Sequence, residues 1–150
     1  MSTSPFRGVG TAMITPFKVD GSIDHAILAD FVDFQISNGV DFLVPLGTTG
    51  ESVTMSEAEQ IEVLETTLKT TAGRVPILAG CGGNNTAAIV KKGQRLKEAG
   101  ATHILSVSPY YNKPTQEGLY RHFKALAEST PLPNILYNVP ARTITNMTTE

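Results

Sequence analysis

The sequence predicts an α/β fold of repeated βα units, and three observations carry that reading. Short runs rich in β-branched residues alternate with longer stretches in which apolar residues recur every three or four positions. Runs beginning near Asp41, Val75, Ile104 and Ile135 follow one another at spacings of 34, 29 and 31 residues, about the length of one βα unit. Glycines at positions 39, 73 and 100 stand just past the expected ends of three helices, where a left-handed residue closes the last turn.

Each element has its own signal. Val9 to Thr15 is the first expected strand, and a helix is expected from about Asp24 to Asn38 with Ile27, Phe31 and Phe34 on one face. Asp41 to Leu46 reads as the second strand. Ser56 and Glu59 form a capping-box pattern ahead of a helix that turns Ile61, Leu64 and Leu68 inward. A third strand, Val75 to Ala79, leads to a helix from about Asn85 to Ala99 with Ile89, Gly93 and Leu96 on one face. Ile104 to Val107 is the fourth strand. Thr115 caps a helix presenting Leu119, Phe123 and Leu126, and Pro131 and Pro133 prevent its continuation. Ile135 to Asn138 is the fifth strand, and Thr148, Thr149 and Glu150 read as the start of one more helix. Two architectures fit this order: a five-stranded doubly wound sheet complete at this length, or the front of an eight-unit barrel that needs about 250 residues.

Composition narrows the partners. Twelve Lys and Arg stand against fourteen Asp and Glu, a net charge of −2 without any dense basic run, so no nucleic-acid footprint is present. The apolar runs are strand-sized, far below the roughly 18 to 20 residues of a membrane span. Arg7, Lys18 and Asp20 interrupt any apolar leader, and a cytoplasmic location is expected. Cys81 is the only cysteine, and His25, His103 and His122 form no metal-ligand spacing, so neither a cofactor nor a metal is expected. In its strand-end loop Cys81 reads as a small packing residue.

In either architecture, ligands bind at the loops that follow the strands. These carry Thr15-Pro16-Phe17, Gly47 to Ser52, Gly80 to Asn84, Ser108 to Pro114 and Asn138 to Thr143, a set of hydroxyls, amides and glycines with one arginine. Gly47 to Ser52 offers hydroxyls and free backbone N–H groups suited to a small carboxylate; the alternative is a turn whose threonines satisfy their own backbone. The adjacent Tyr110 and Tyr111 point to opposite sides if the segment is extended, one into its own pocket and the other elsewhere, or both cover an apolar rim. Tyr137, inside a strand, reads as a core residue. Arg142, beyond a proline, suits bidentate recognition of a carboxylate or lies solvated on the surface.

Three motifs in order, Gly47-Thr48-Thr49-Gly50-Glu51, Ser108-Pro109-Tyr110-Tyr111-Asn112 and Tyr137-Asn138-Val139-Pro140-Ala141-Arg142-Thr143, together with Gly8 to Pro16 and Gln116-Glu117-Gly118-Leu119-Tyr120, closely resemble the dihydrodipicolinate synthase family. That family belongs to the pyruvate-dependent Schiff-base aldolases, which also include N-acetylneuraminate lyase and keto-deoxy sugar acid aldolases. The resemblance implies a (β/α)8 TIM barrel, of which residues 1–150 would form the N-terminal half, about four and a half βα units. The rest of the barrel, a strand-six lysine that forms the imine and a C-terminal helical domain would follow Glu150.

The resemblance further implies a lyase that condenses pyruvate with L-aspartate 4-semialdehyde and cyclises the product, opening the diaminopimelate and lysine branch. Thr48, Tyr111 and Tyr137 would relay protons, with Tyr111 supplied across a dimer interface of a homotetramer built as a dimer of dimers. Thr48 and Thr49 would hold the pyruvate carboxylate and Arg142 that of the semialdehyde. Ser52, Asn84 and Tyr110 match the family's lysine-effector site, whereas Glu57, Gln60 and Ala88 stand where lysine-sensitive members carry two histidines and a glutamate. A related sugar-acid aldolase, and a non-catalytic anion-binding module complete at 150 residues, are the competing expectations.

Overall fold

A computed structural model describes residues 5–148. Five parallel strands, β1 (Gly10–Ala12), β2 (Phe42–Val44), β3 (Ala79–Gly80), β4 (Ile104–Val107) and β5 (Asn134–Tyr137), alternate with helices α1 (His25–Ser37), α2 (Glu57–Thr71), α3 (Thr86–Glu98), α4 (Gln116–Ser129) and the one-turn α5 (Pro140–Thr143). β1 pairs with β2, β3 with β4 and β4 with β5. A parallel bridge between Leu43 and Ile77 joins the two groups. The spatial order of the strands is therefore their chain order, which a doubly wound sheet never has, since its order reverses at a switch point. Successive helices pack on one another, α1 on α2, α2 on α3 and α3 on α4, forming one layer on one side of the sheet.

The helix boundaries follow from local chemistry. Asp24, Ser56, Asn85 and Thr115 cap the first four helices, each side chain accepting a backbone N–H of the first turn. The capping box is complete: Glu59 accepts the Ser56 amide at 2.7 Å, and the Ser56 hydroxyl accepts the Glu59 amide at 3.3 Å. α2 ends at Ala72, itself left-handed, with left-handed Gly73 behind it. The face of α3 is the expected one, with Ile89, Gly93 and Leu96 buried. On α4, His122 joins the expected Leu119, Phe123 and Leu126.

The face of α1 is a correction at Ile27 and Phe34, whereas Phe31 packs half-buried against the core as expected. Leu28 and Val32 are fully buried, while Ile27 is 51% and Phe34 59% exposed. This helix carries two apolar stripes a hundred degrees apart, and the sheet takes the one that includes the smaller Val32. The expected helix at Thr148 to Glu150 is not tested, because Thr149 and Glu150 lie outside the described residues and Thr148 is not helical.

The core lies between sheet and helices, where Leu43, Ile77, Ala79 and Ile104 meet Leu28, Val32, Leu64, Ile89, Leu96 and Leu126. Alternation along β4 buries Ile104 and Ser106 on this side and leaves Leu105 and Val107 half-buried on the other. Ile135 pairs with Leu105 and Tyr137 with Val107, so both belong to the helix-free face. In a closed barrel that face is the lumen. The isolated 150-residue chain offers it to water along with two open sheet edges, β1 and β5. It is expected to self-associate or to melt without cooperativity; a single cooperative thermal transition of the monomer would contradict this.

Candidate functional site

Because every strand is parallel, the five loops after them gather at one end of the sheet, and four contacts tie them together. The Thr15 hydroxyl donates to the Gly50 carbonyl at 2.8 Å. Gly80 lies so close to Leu46 that a Cβ would overlap the Leu46 carbonyl. The Asn112 amide donates to the Asn84 carbonyl at 2.9 Å, and the Ser108 N–H donates to the Tyr137 carbonyl at 3.2 Å. The sequence-selected residues thus sit on one continuous rim.

The Gly47 to Ser52 loop is wound from overlapping turns, Gly50 N–H to Gly47 O at 3.2 Å and Glu51 N–H to Thr48 O at 3.1 Å. A single 3₁₀ turn, Ser52–Thr54, follows and buries Ser52. Thr54 is the threonine that satisfies its own backbone, donating to Glu51 O at 2.8 Å. Thr48 and Thr49 are exposed, and among the described residues neither their hydroxyls nor their N–H groups have a partner. Two consecutive N–H groups and two hydroxyls are an anion cradle. Neither Thr48 nor Thr49 satisfies its own backbone among the described residues.

The segment is not extended at Tyr111, so the expected strand-like alternation does not apply, and the two tyrosines differ in exposure. Tyr110 is half-buried and Tyr111 is 88% exposed. The Asn112 N–H bonds back to the Tyr110 carbonyl at 2.8 Å across Tyr111, whose φ is +70°. This is a γ-turn with a left-handed central residue, a strained conformation for a side chain of this size. It thrusts the Tyr111 phenol outward. Tyr137 is 45% exposed on the helix-free face, away from the core between sheet and helices. Arg142 lies within α5, a turn the sequence does not announce beyond Pro140 at its first position. Its guanidinium is exposed and unpaired among the described residues.

Asn138 links two parts of this rim, its side-chain Nδ2 donating to Asn146 Oδ1 at 2.8 Å and its side-chain Oδ1 accepting the Met147 N–H at 3.2 Å. Gln116 holds the same segment through Asn146 O and the Thr148 N–H. Neither role is visible in the sequence, since both contacts depend on where residues 144–148 fold back.

Behind the rim, a cavity of about 170 Å³ lies between α2 and α3, lined among others by Ser52, Glu57, Gln60, Ala88, Lys92 and Arg95. The Gln60 amide is spent on Ser52 O and Met55 O, at 2.9 and 3.2 Å. Glu57 is paired with Arg95. Lys92, half-buried among apolar atoms, has its ammonium pKa lowered by that burial. The sequence marked this lysine only by its position on the apolar face of α3, between Ile89 and Gly93. Asn84 and Tyr110 lie at the rim rather than among the cavity's lining residues.

Cys81 is fully buried and burial pushes its thiol up to about 11, which suits packing rather than nucleophilic attack. His122 is buried, its Nδ1 against the Thr86 hydroxyl at 2.8 Å, and burial lowers its pKa. Among the described residues no cluster of three His, Cys, Asp or Glu could hold a metal, and no helix is long and apolar enough to cross a membrane.

A parallel sheet in chain order, helices on one side and a polar rim at the carboxyl ends of the strands define a segment of a (β/α)8 barrel of the kind whose ligands bind at that rim. The chain belongs to the dihydrodipicolinate synthetase family, whose model matches residues 5–150. It is 51% identical over 150 residues to the 4-hydroxy-tetrahydrodipicolinate synthase of Porphyromonas gingivalis, covering all of this chain and 50% of that one. Against the enzyme of the same name from Koribacter versatilis it is 54% identical, covering 95% and 48%. The solved dihydrodipicolinate synthase of Thermotoga maritima superposes with a TM-score of 0.92 at 46% identity, covering 95% of this chain and 48% of its own. The chain thus spans about half the length of the curated relatives it matches.

Proposed function

We propose that the protein carrying this chain is a 4-hydroxy-tetrahydrodipicolinate synthase, a lyase-class enzyme that condenses pyruvate with L-aspartate 4-semialdehyde and lets the adduct cyclise. The observation that carries this reading is the open cradle at Thr48 and Thr49, set on the same rim as Tyr137 and Arg142. Identity near 50% to enzymes of that name supports it.

In this reading pyruvate enters as an imine on a lysine supplied from outside residues 1–150. Thr48 and Thr49 receive its carboxylate through hydroxyls and N–H groups. The imine loses a methyl proton, and the resulting enamine carbon attacks the aldehyde of the second substrate. Protons move between the reacting centre and solvent through Thr48, Tyr137 and Tyr111, hydroxyl groups that both donate and accept. Tyr111 reaches its place from a second copy of the chain, which accounts for its exposure and its strained backbone. The enzyme is then at least a dimer, and a homotetramer as a dimer of dimers in the cytoplasm is the arrangement proposed. Arg142 holds the carboxylate of the semialdehyde; its free guanidinium suits a charged terminus better than the polyol chain of a sugar acid.

Borohydride added to the full-length protein with pyruvate should leave a reduced, covalent pyruvyl adduct on one lysine, seen by mass spectrometry. Absence of an adduct would overturn the proposal. Replacing Tyr137 with Phe should lower kcat by about 10²-fold or more without altering the fold, the usual scale for an acid–base group; an unchanged kcat would remove Tyr137 from the relay. Arg142→Ala should raise the KM for the semialdehyde far more than that for pyruvate, and equal effects would contradict its assignment.

The effector reading divides. Ser52, Asn84 and Tyr110 are proposed to keep part of a lysine site, yet the ionic groups of the adjoining cavity are Lys92, Arg95 and a Glu57 already engaged by Arg95. An effector's ammonium group would find no free carboxylate there, and a desolvated, unpaired ammonium is costly. Lysine is therefore expected to inhibit weakly or not at all, and a sub-millimolar inhibition constant would show otherwise.

A further inference from the structure

We propose that Thr15 is a positioning residue, whose buried hydroxyl fixes Gly50 and thereby the place at which Thr48 and Thr49 are offered to a carboxylate. This rests on the reading of Thr48 and Thr49 as the carboxylate cradle. The loop that carries them has a left-handed non-glycine residue at each shoulder, Leu46 at φ +62° and Glu51 at φ +54°. Such backbone persists only where its surroundings hold it.

Two contacts do so. On the β3 side, Gly80 packs against the Leu46 carbonyl and the Gly47 amide, backbone on backbone. On the β1 side, the loop is held by the hydroxyl of a residue 35 positions away, through Thr15 Oγ1 to Gly50 O. Thr15 and Gly50 are both buried, and no other donor among the described residues reaches the Gly50 carbonyl. Gly50 leaves no slack, since a Cβ there would stand 2.9 Å from Met13 O and 3.2 Å from Thr15 Oγ1.

The geometry dictates what substitution does. Valine keeps the shape of threonine but leaves the Gly50 carbonyl without its donor, so the turn that ends on it is free to shift. Serine keeps the donor. Thr15 touches no ligand, and its influence passes entirely through the loop.

The test uses the full-length protein with Thr15→Val and Thr15→Ser, read by amide hydrogen exchange and by steady-state kinetics. In Thr15→Val the Gly50 and Glu51 amides, which close the two turns, should exchange about tenfold faster, the scale of one buried hydrogen bond. The KM for pyruvate should rise by a similar factor while that for the semialdehyde stays within twofold. Thr15→Ser should restore both. Unchanged exchange in Thr15→Val, or equal losses in Thr15→Ser, would overturn the proposal. Should Thr15→Val fail to fold, Gly50→Ala strikes the same contact from the loop and should produce the same local exchange; protection equal to wild type there would also overturn it. A wild-type protein that traps no pyruvate would remove the carboxylate reading alone, because exchange decides separately whether Thr15 holds the loop.

Discussion

The arrangement of this chain depends on the seam between β2 and β3. Elsewhere the strands pair over two to four residues, but here the ladder is a single bridge at Leu43 and Ile77. Three backbone hydrogen bonds run along it: Leu43 N–H to Pro76 O at 3.0 Å, Leu78 N–H to Leu43 O at 2.9 Å and Gly80 N–H to Pro45 O at 2.9 Å. Pro45 and Pro76 each lack a donor within it, so the seam relies on close approach as much as on hydrogen bonds. The absent side chain at Gly80 permits that approach. The rim is divided by this line, with Thr48 and Thr49 on the β2 side and Tyr111, Tyr137 and Arg142 on the other. Any chemistry that needs both groups needs the seam closed.

Backbone strain is distributed along the same logic. Of the six non-glycine residues with positive φ among the described residues, Leu46, Glu51, Tyr111, Lys113 and Ile144 all follow the carboxyl ends of strands or the short turn after β5. The opposite end of the sheet, where the chain enters the strands, uses Gly8, Gly39, Gly73 and Gly100 for the same backbone region together with Ala72, while Gly21, in the loop after β1, is the glycine of this kind at the rim end among the described residues. Glycine meets that geometry at no steric cost. Where geometry serves only to connect elements, the unstrained residue is used; where side chains are needed on the rim, strain is tolerated. Conformational strain thus gathers at the end that barrels use for ligands.

Much of this could be read from the residues. Asp24, Ser56, Asn85 and Thr115 announce four helix starts because capping is a local interaction between neighbours in sequence. The face of α3 is legible because Ile89, Gly93 and Leu96 form its one apolar stripe. On α1 the same rule fails: Ile27, Phe31, Phe34 and Leu28, Val32 both satisfy helical spacing, and only packing against the sheet selects the second. The rim was legible as a list of loops, and the family resemblance ranked its residues. Which hydroxyls stay free was not, because that depends on turns such as Glu51 N–H to Thr48 O that only the folded loop defines. Tyr137 illustrates the limit, since a strand tyrosine is core or site according to the face its register assigns.

At the carboxyl ends of the strands the described residues offer hydroxyls, amides and one arginine, and the buried Cys81 and half-buried Lys92 do not join them. Cys81 is sealed beneath the rim with its thiol pushed up to about 11. Lys92 lies on the helix side, behind Ser52 and Gly82, where its half-buried ammonium faces the α2–α3 cavity and not the open end of the sheet. The condensation proposed above needs an amine at that open end, close enough to Thr48 and Thr49 to reach the carbonyl one bond from the carboxylate they are proposed to hold. The β5 edge is where a sixth parallel strand would add, directly beside Tyr137. In the proposed reaction, Tyr137, the unpaired Arg142 and the free Thr48 and Thr49 hydroxyls are the groups at this end of the sheet that such an amine would work beside.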